Sequence, residues 1–354
     1  MGRFYQKITK PLVLIISLAF LFTAFLPLLK NNNESIKTTT KSVIKVQDFI
    51  GQEVVLQKPA ERIVCLLESG LAGLYMLGAA EKVIGVNHYP YQSHIYPYYE
   101  ALDQRFAQRT LTDVGEGTTV DLEKIAALNP DLIIIWVGYP DVIKTLKARG
   151  FTVFAVQLDN FTDIWREIEL LSQLTGQEER GKQLIKESQE QLTFIQNKLE
   201  SVSKEKQPTC YFSWAESKLD AAGGNSTGTE LVRLAGGHSV TENVRQEHIK
   251  ANLEQLVKWN PEVIISWYGP NVTPKKFYTD NQWKNIAAVK NNRVYQLPDA
   301  FSCDLWTLKY IYGVKCAAKY LHPDLFPEDL KEEKAKLLRL LYGEKGEKLA
   351  NVQI

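Results

Sequence analysis

Across residues 178–203 the apolar side chains Ile185, Leu192, Ile195, Leu199 and Val202 fall at the three- and four-residue spacing that lines one face of an α-helix. Lys, Glu and Gln, all good helix formers, fill most other positions, and neither Gly nor Pro interrupts the run between Gly181 and Pro208. At about 1.5 Å per residue such a helix would be roughly 35 Å long, about the width of a small domain. On either side the pattern changes to short apolar runs alternating with amphipathic stretches. Residues 43–58 alternate apolar and polar around Gly51, which predicts a hairpin. Strands follow at RIVCLL (62–67), KVIGVNHYP (82–90), DLIIIW (131–136) and FTVFAVQL (151–158), with helices between them. Ser69 is the expected cap of the first of these helices, and YQSHIYPYYE (91–100) reads as a Tyr-dense loop. Beyond the long helix, TCYFSWA, EVIISWYG and RVYQLP read as strands, and GGNSTGTELVRLAGG as a loop entering a helix. A loop-and-helix, FSCDLWTLKYIYGVKCAAKYL, is followed by an amphipathic helix expected to pack on the second lobe, with a loose end after Gly343. This βα alternation predicts two mostly parallel sheets flanked by helices.

An internal repeat supports that division. VDLEKIAALNPDLIIIWVG (120–138) and ANLEQLVKWNPEVIISWYG (251–269) align without a gap at an offset of 253 − 122 = 131 residues. Each copy is a short helix stopped at Asn-Pro and followed by a buried strand ending in Trp-x-Gly. Proline cannot continue a helix and biases the preceding residue away from the α region, so the break is enforced. A period this long indicates two similar domains rather than a solenoid.

The length, 354 residues, accommodates two ordinary domains with a connector and tails. The expected divisions are an N-terminal segment 1–30, a polar linker 31–42, a first lobe 43–177, the connecting helix 178–204, a second lobe 205–322, and a C-terminal helix and tail 323–354. Hydrophobic content of 45% and charged content of 23% are those of a globular protein. A net charge of +1 gives no footprint for nucleic acid. The uncharged apolar run at 11–29 follows Arg3, Lys7 and Lys10, the signature of an export signal or of an uncleaved membrane anchor. Either way the bulk of the chain is expected outside the cytoplasm. Cys65, Cys210, Cys303 and Cys316 have no metal-finger spacing; the first two lie in apolar runs, and the last two leave a disulfide open.

These motifs together resemble a known family. KPAERIVCL, LGAAEKVIGV and DLEKIAALNPDLIIIW in the first half, with AGGNS…ELVRLAGG and NLEQLVKWNPEVIISW in the second, occur in the order found in substrate-binding proteins of ABC importers for ferric siderophores, haem and cobalamin. The resemblance covers about residues 45–322. It implies two three-layer α/β lobes joined by one long rigid helix, with a ligand cleft between them and modest closure. It implies a monomer without cofactor, working with an ABC permease and its ATPase, and tied to the membrane if its N-terminal segment is uncleaved. It further implies that one exposed Glu on each lobe docks on the permease, which maps here to Glu123 and Glu254. Two symmetrically presented carboxylates can meet two basic pockets of a dimeric permease, although a Glu in a first helical turn also favours the helix dipole without any partner.

In open α/β sheets, ligands lie beyond the carboxyl ends of the strands. That rule selects Glu68, Ser69, Asn87, His88, Tyr89 and 136–139, including Trp136 and Tyr139, from the first lobe. From the second it selects Trp214, Asn225, Ser226, Trp267, Tyr268 and the loop 301–306, including Trp306. The expected cleft is aromatic with few fixed charges, and Trp136 and Trp267 serve either cleft or packing. His88 could meet a metal in a chelate or simply make a hydrogen bond at the cleft edge. Without an Arg or Lys cluster, a neutral or mildly charged metal complex is expected rather than a strongly anionic catecholate. GGNSTGT (223–229) is Gly-rich ahead of a helix but lacks the phosphate-loop Lys-Ser/Thr, and no H-E-x-x-H or paired-carboxylate arrangement is present, so an enzyme, for instance a metal chelatase with His88 as base, is the weaker alternative beside a membrane-tethered sensor.

Overall fold

The computed structural model describes residues 43–352; the N-terminal export or anchor segment and its polar linker lie outside the described residues. The first strands, β1 (Ile44–Gln47) and β2 (Glu53–Leu56), form the expected antiparallel hairpin, turning at Gly51 with φ +77°. The first lobe is built on β3 (Ile63–Cys65), β4 (Val83–Val86), β5 (Thr112–Asp113), β6 (Leu132–Trp136) and β7 (Val153–Val156), ordered β5-β4-β3-β6-β7 and parallel throughout. Its helices are α1 (Glu68–Met76), α2 (Tyr96–Leu102), α3 (Gln104–Ala107), α4 (Leu122–Leu128), α5 (Pro140–Ala148) and α6 (Phe161–Thr175).

The connector α7 (Glu178–Leu199) has 22 residues and runs from the end of the first lobe to the start of the second. It stops at Leu199, short of the expected end at residue 204, and a 3-10 turn over Lys204–Lys206 precedes the next strand. The second sheet contains β8 (Thr209–Ser213), β9 (Asp220–Ala222), β10 (His238–Ser239), β11 (His248–Lys250), β12 (Val263–Ser266) and β13 (Val294–Gln296), ordered β11-β9-β8-β12-β13 with β10 beside β8. Here the expectation of a mostly parallel sheet is half right. The pairs β8–β12, β12–β13 and β8–β10 are parallel, but β9 and β11 run antiparallel. Helices α8 (Thr227–Leu234), α9 (Leu253–Trp259), α10 (Pro274–Tyr278), α11 (Ala287–Lys290) and α12 (Tyr310–Leu321) surround it.

The repeat copies coincide in geometry as well as in sequence. α4 and α9 both end on an asparagine in the left-handed conformation, Asn129 at φ 47° and Asn260 at φ 42°, each followed by proline and a parallel central strand. Asparagine tolerates that conformation better than other non-glycine residues, and the proline prevents the helix from continuing.

Several expectations are corrected. Ser69 does not cap α1; its hydroxyl donates 2.9 Å to Glu167, because the chain turns directly from β3 into the helix at Leu67. The Tyr-dense stretch is largely the helix α2, and Tyr98 and Tyr99 are core residues. The C-terminal helix α13 (Leu330–Tyr342) packs on α12 but also reaches α1. The supposed loose end forms α14 (Lys345–Ala350), which lies on α2 of the first lobe with Leu349 fully buried. All four cysteines are buried free thiols.

One hydrophobic core therefore runs through both lobes. Tyr98 of α2 stacks on Phe301 of the second lobe at 4.3 Å and 5°, and Phe161 at the start of α6 stacks on Tyr310 of α12 at 4.1 Å and 22°. The Phe161 amide donates to Glu230 at 3.0 Å, and Trp165 donates to Ser188 of the connector at 3.0 Å. Arg180, also on the connector, donates to the carbonyls of Met76, Leu340 and Leu341. Truncating a fully buried phenylalanine costs about 3–5 kcal/mol. Phe301→Ala is accordingly expected to lower stability in urea by about that amount. The wild type should unfold in one transition reported alike by fluorescence and circular dichroism; two resolved transitions would mean that the lobes fold independently.

Candidate ligand cleft

The carboxyl ends of β3, β6 and β7 open toward the loops of the second lobe, enclosing a cavity of about 470 Å³. Its first-lobe wall is Leu67, Glu68, Ser69, Trp136, Val137 and residues 156–159; its second-lobe wall is Glu247, Asp304 and Trp306. It runs on into a hollow of about 600 Å³ that shares Leu158, Asp159 and Glu247 and adds Asn225, Thr227, Arg245 and Gln246.

Trp136 ends β6 and is 46% exposed, unusually open for so large an apolar side chain. Tyr139 meets it edge-on at 5.4 Å. The indole lies back across Gly138, where a Cβ would stand 2.3 Å from the ring, so glycine is required for this placement. Trp267, its counterpart in the second copy, is half-buried and belongs to a cluster with Trp214 at 5.7 Å and Trp306 at 5.9 Å. Trp214 itself is 5% exposed and stands behind Trp306, so its expected place on the cleft surface is corrected to a supporting one. Trp306 reaches the cavity.

His88 is not brought into the cavity. Its Nδ1 lies 2.9 Å from Asp113 Oδ2 beyond β4 and β5, and the pair is exposed. Partial burial would raise the Asp113 pKa, but hydrogen bonds from His88 and the Gly115 amide outweigh it and hold the carboxyl low. Among the described residues no group of three or more His, Cys, Asp and Glu side chains is arranged to hold a metal ion. Tyr89 is half-buried with its hydroxyl beside Glu68. Tyr139 and Tyr268 are half-buried and do not line the cavity. Ser226 caps α8, while Asn87 is buried and donates to the Leu66 carbonyl.

The expectation of few fixed charges is overturned at the cavity floor. Lys309 is completely buried, 3.3 Å from Asp304 Oδ2 and 3.8 Å from the centre of the Phe301 ring. Burial opposes its positive charge, yet Tyr342, Asp304 and Glu68 together raise its pKa. Burial and then the Asp304 carboxylate push Glu68 well above the ordinary carboxyl range. Glu167, beneath Ser69, is pushed up to about 8 by burial, against the hydrogen bond it accepts. The strand-end rule applied to β7 would have found Gln157 and Asp159, whereas Glu247 comes from a loop between short strands and carried no signal.

Residues 63–301 match the periplasmic binding protein family, and the chain belongs to it. An uncharacterized ABC transporter substrate-binding lipoprotein of Bacillus subtilis, YvrC, is 27% identical over 80% of this chain and 87% of its own. A vitamin B12-binding protein of Vibrio parahaemolyticus is 25% identical over 70% of this chain and 85% of its own. In fold, the crystal structure of a periplasmic solute binding protein from Veillonella parvula superposes with a TM-score of 0.72 at 23% identity, over 85% of this chain and 93% of that one. The chain is thus a binding protein of this family, in keeping with the resemblance of its motifs.

Glu167 gives a pH test of the floor. Its folded value of about 8 lies above the ordinary 4.5, so between those limits the folded state keeps a proton that the unfolded chain releases. Stability contributed by this group therefore falls as pH rises through the window. Relative to Glu167→Gln, the wild type should lose up to about 1.4 kcal/mol per pH unit across it, measured by urea unfolding at several pH values. A difference that does not change with pH would mean that the carboxyl is ionised throughout.

Proposed function

We propose that this protein is the extracytoplasmic substrate-binding component of an ABC importer, capturing a metal chelate between its lobes and handing it to the permease and its ATPase. Ferric siderophores, haem and corrinoids are the ligand classes. The observation that carries this reading is the interlobe cavity with the exposed Trp136 indole on one wall and Trp306 on the other. Flat rings at both sides suit a broad, partly apolar ligand and lose little side-chain entropy on binding. The ABC transporter lipoprotein and the vitamin B12-binding protein among its relatives support the same reading. Residues 11–29 are the export signal or anchor, and the chain acts as a monomer. Among the described residues no helix is long and apolar enough to cross a membrane.

Docking is assigned to Glu123 and Glu254. Both are exposed, and they occupy the same first-turn position of α4 and α9, two residues after the caps Asp121 in one lobe and Asn252 in the other. Carboxylates so matched suit two basic pockets, while their helix-dipole stabilisation is at most about 1 kcal/mol each.

Two measurements test these assignments. In a tryptophan-fluorescence titration with haem, cobalamin and several ferric siderophores, one member should quench saturably. Trp136→Ala should then weaken its binding by about tenfold or more while stability stays within about 0.5 kcal/mol. Trp267→Ala should cost stability as well, since that ring supports two others. If Trp136→Ala leaves affinity unchanged, the cleft assignment fails. For docking, Glu123→Lys with Glu254→Lys should leave ligand affinity intact and abolish uptake in cells. Normal transport by the double variant would sink the docking role.

A further inference from the structure

The inner chamber of the cleft carries more charge than an aromatic ligand site needs, and that charge has one sign. Four carboxyl groups line it: Glu68 and Asp159 from the first lobe, Glu247 and Asp304 from the second. Among the described residues no Lys, Arg or His lines it. The nearest buried cation, Lys309, is shielded from the chamber at 0% exposure and lies against the Phe301 ring. It compensates Asp304 and, through space, Glu68 from behind, and among the described residues neither Asp159 nor Glu247 forms an ion pair. Lys309 also does not satisfy Asp304 fully. Asp304 is 6% exposed; its Oδ1 accepts from the Trp306 amide at 2.9 Å, while Oδ2 lies in ion-pair range of Lys309 but has no hydrogen-bond donor. Arg245 stands farther out, in the adjoining hollow.

We infer that the inner chamber selects a ligand bearing positive charge beside an apolar flat face, with Glu68, Glu247 and Asp304 as the charge-reading residues and Trp136 and Trp306 as the ring-bearing walls. This deepens the metal-chelate reading and rests on it. Carboxylates on both lobes attract a cation from either side, and a cation over an indole gains a further attraction to the ring face. An anionic chelate would meet like charge in a partly desolvated site, where repulsion is weakly screened. Burial and Asp304 hold Glu68 toward its protonated form, in which it reads no charge; a cation beside it favours the carboxylate, so Glu68 joins the selection as a cationic ligand draws its proton off.

The test uses chelates that differ by one charge at constant shape. Ferrioxamine B carries a pendant ammonium, and its N-acetyl derivative is the neutral twin. Aquacobalamin is a cation at mildly acidic pH, and cyanocobalamin is its neutral twin. A ferric tris-catecholate supplies the anion. The purified full-length chain is titrated with each, following tryptophan fluorescence. For whichever framework binds, the cation is expected to bind about tenfold tighter than its twin, and the catecholate should not bind. Glu68→Gln and Glu247→Gln should each lower that preference by about threefold, read as the ratio of cation to neutral-twin affinity within each variant. These variants keep the Asp304–Lys309 pair, which Asp304→Asn would break. Equal binding of the twins, tighter binding of the anion, or a preference that survives both substitutions overturns the charge inference and leaves the metal-chelate reading standing. Saturable binding by none of them overturns that reading and this inference with it.

Discussion

The aromatic seam between the lobes is the constraint on which the cleft depends. Tyr98 on Phe301 and Phe161 on Tyr310 are fully or almost fully buried stacks, each joining one residue from either side. Opening the lobes about the connector would expose these rings, at roughly 25 cal/mol per Å² of apolar surface. Arg180 and the α13–α14 tail add a second tie, since the tail begins on α12 and ends on α2. A wide hinge motion would have to break both. The separation of the two cleft walls is therefore fixed by packing laid down before any ligand arrives, and binding need not supply that order.

The seam also explains how charge is tolerated at the cavity floor. Phe301 contributes to the interlobe stack and carries the Lys309 ammonium on its ring, while Asp304 follows it in the same loop. A buried ion pair adds little net stability compared with apolar residues, but removing one partner typically costs about 3–5 kcal/mol. Such a pair is better understood as fixing the position of its members. Here it holds Asp304 at the chamber, close enough to raise the Glu68 pKa. Packing and electrostatics of the site are thus carried by one short loop, residues 301–309.

Much of this architecture was legible in the sequence, and the omissions have physical causes. The connector, the hairpin and the two Asn-Pro helix stops were readable because periodicity and proline act locally. Tyr98 and Tyr99 read as a loop because Pro90 precedes, and Pro97 begins, a helix of only seven residues whose burial is tertiary. α14 was missed because its sequence is mostly charged or small, and Gly346, where a Cβ would stand 2.1 Å from the Leu338 carbonyl oxygen, packs through backbone approach. β9, β10 and β11 have two or three residues each, too few to show alternation. In the site, strand ends located Trp136, Trp306 and Glu68, whereas Lys309 depends on burial against Phe301 and Asp304, and Glu247 on the way the lobes meet. His88 sat at a strand end, but Asp113 at the end of the neighbouring β5 takes it outward.

The repeat shows why identical residues need not share a role. Trp136 and Trp267 end equivalent strands, and each is followed by x-Gly. In the second lobe the position after β8 is Trp214, which with Trp306 supports the Trp267 ring; in the first lobe the position after β3 is Leu66, and no such stack forms. The glycines diverge in the same way. Gly138 makes room for the Trp136 ring, and Gly269 permits the close approach of Ala215. One wall of the cleft consequently presents a braced aromatic cluster and the other a single open indole lying across the backbone. With the lobes held by the seam, the adjustment to a ligand's shape falls on the side with the fewest packing contacts to lose. That side is Trp136, where a change of rotamer disturbs Tyr139 and little else.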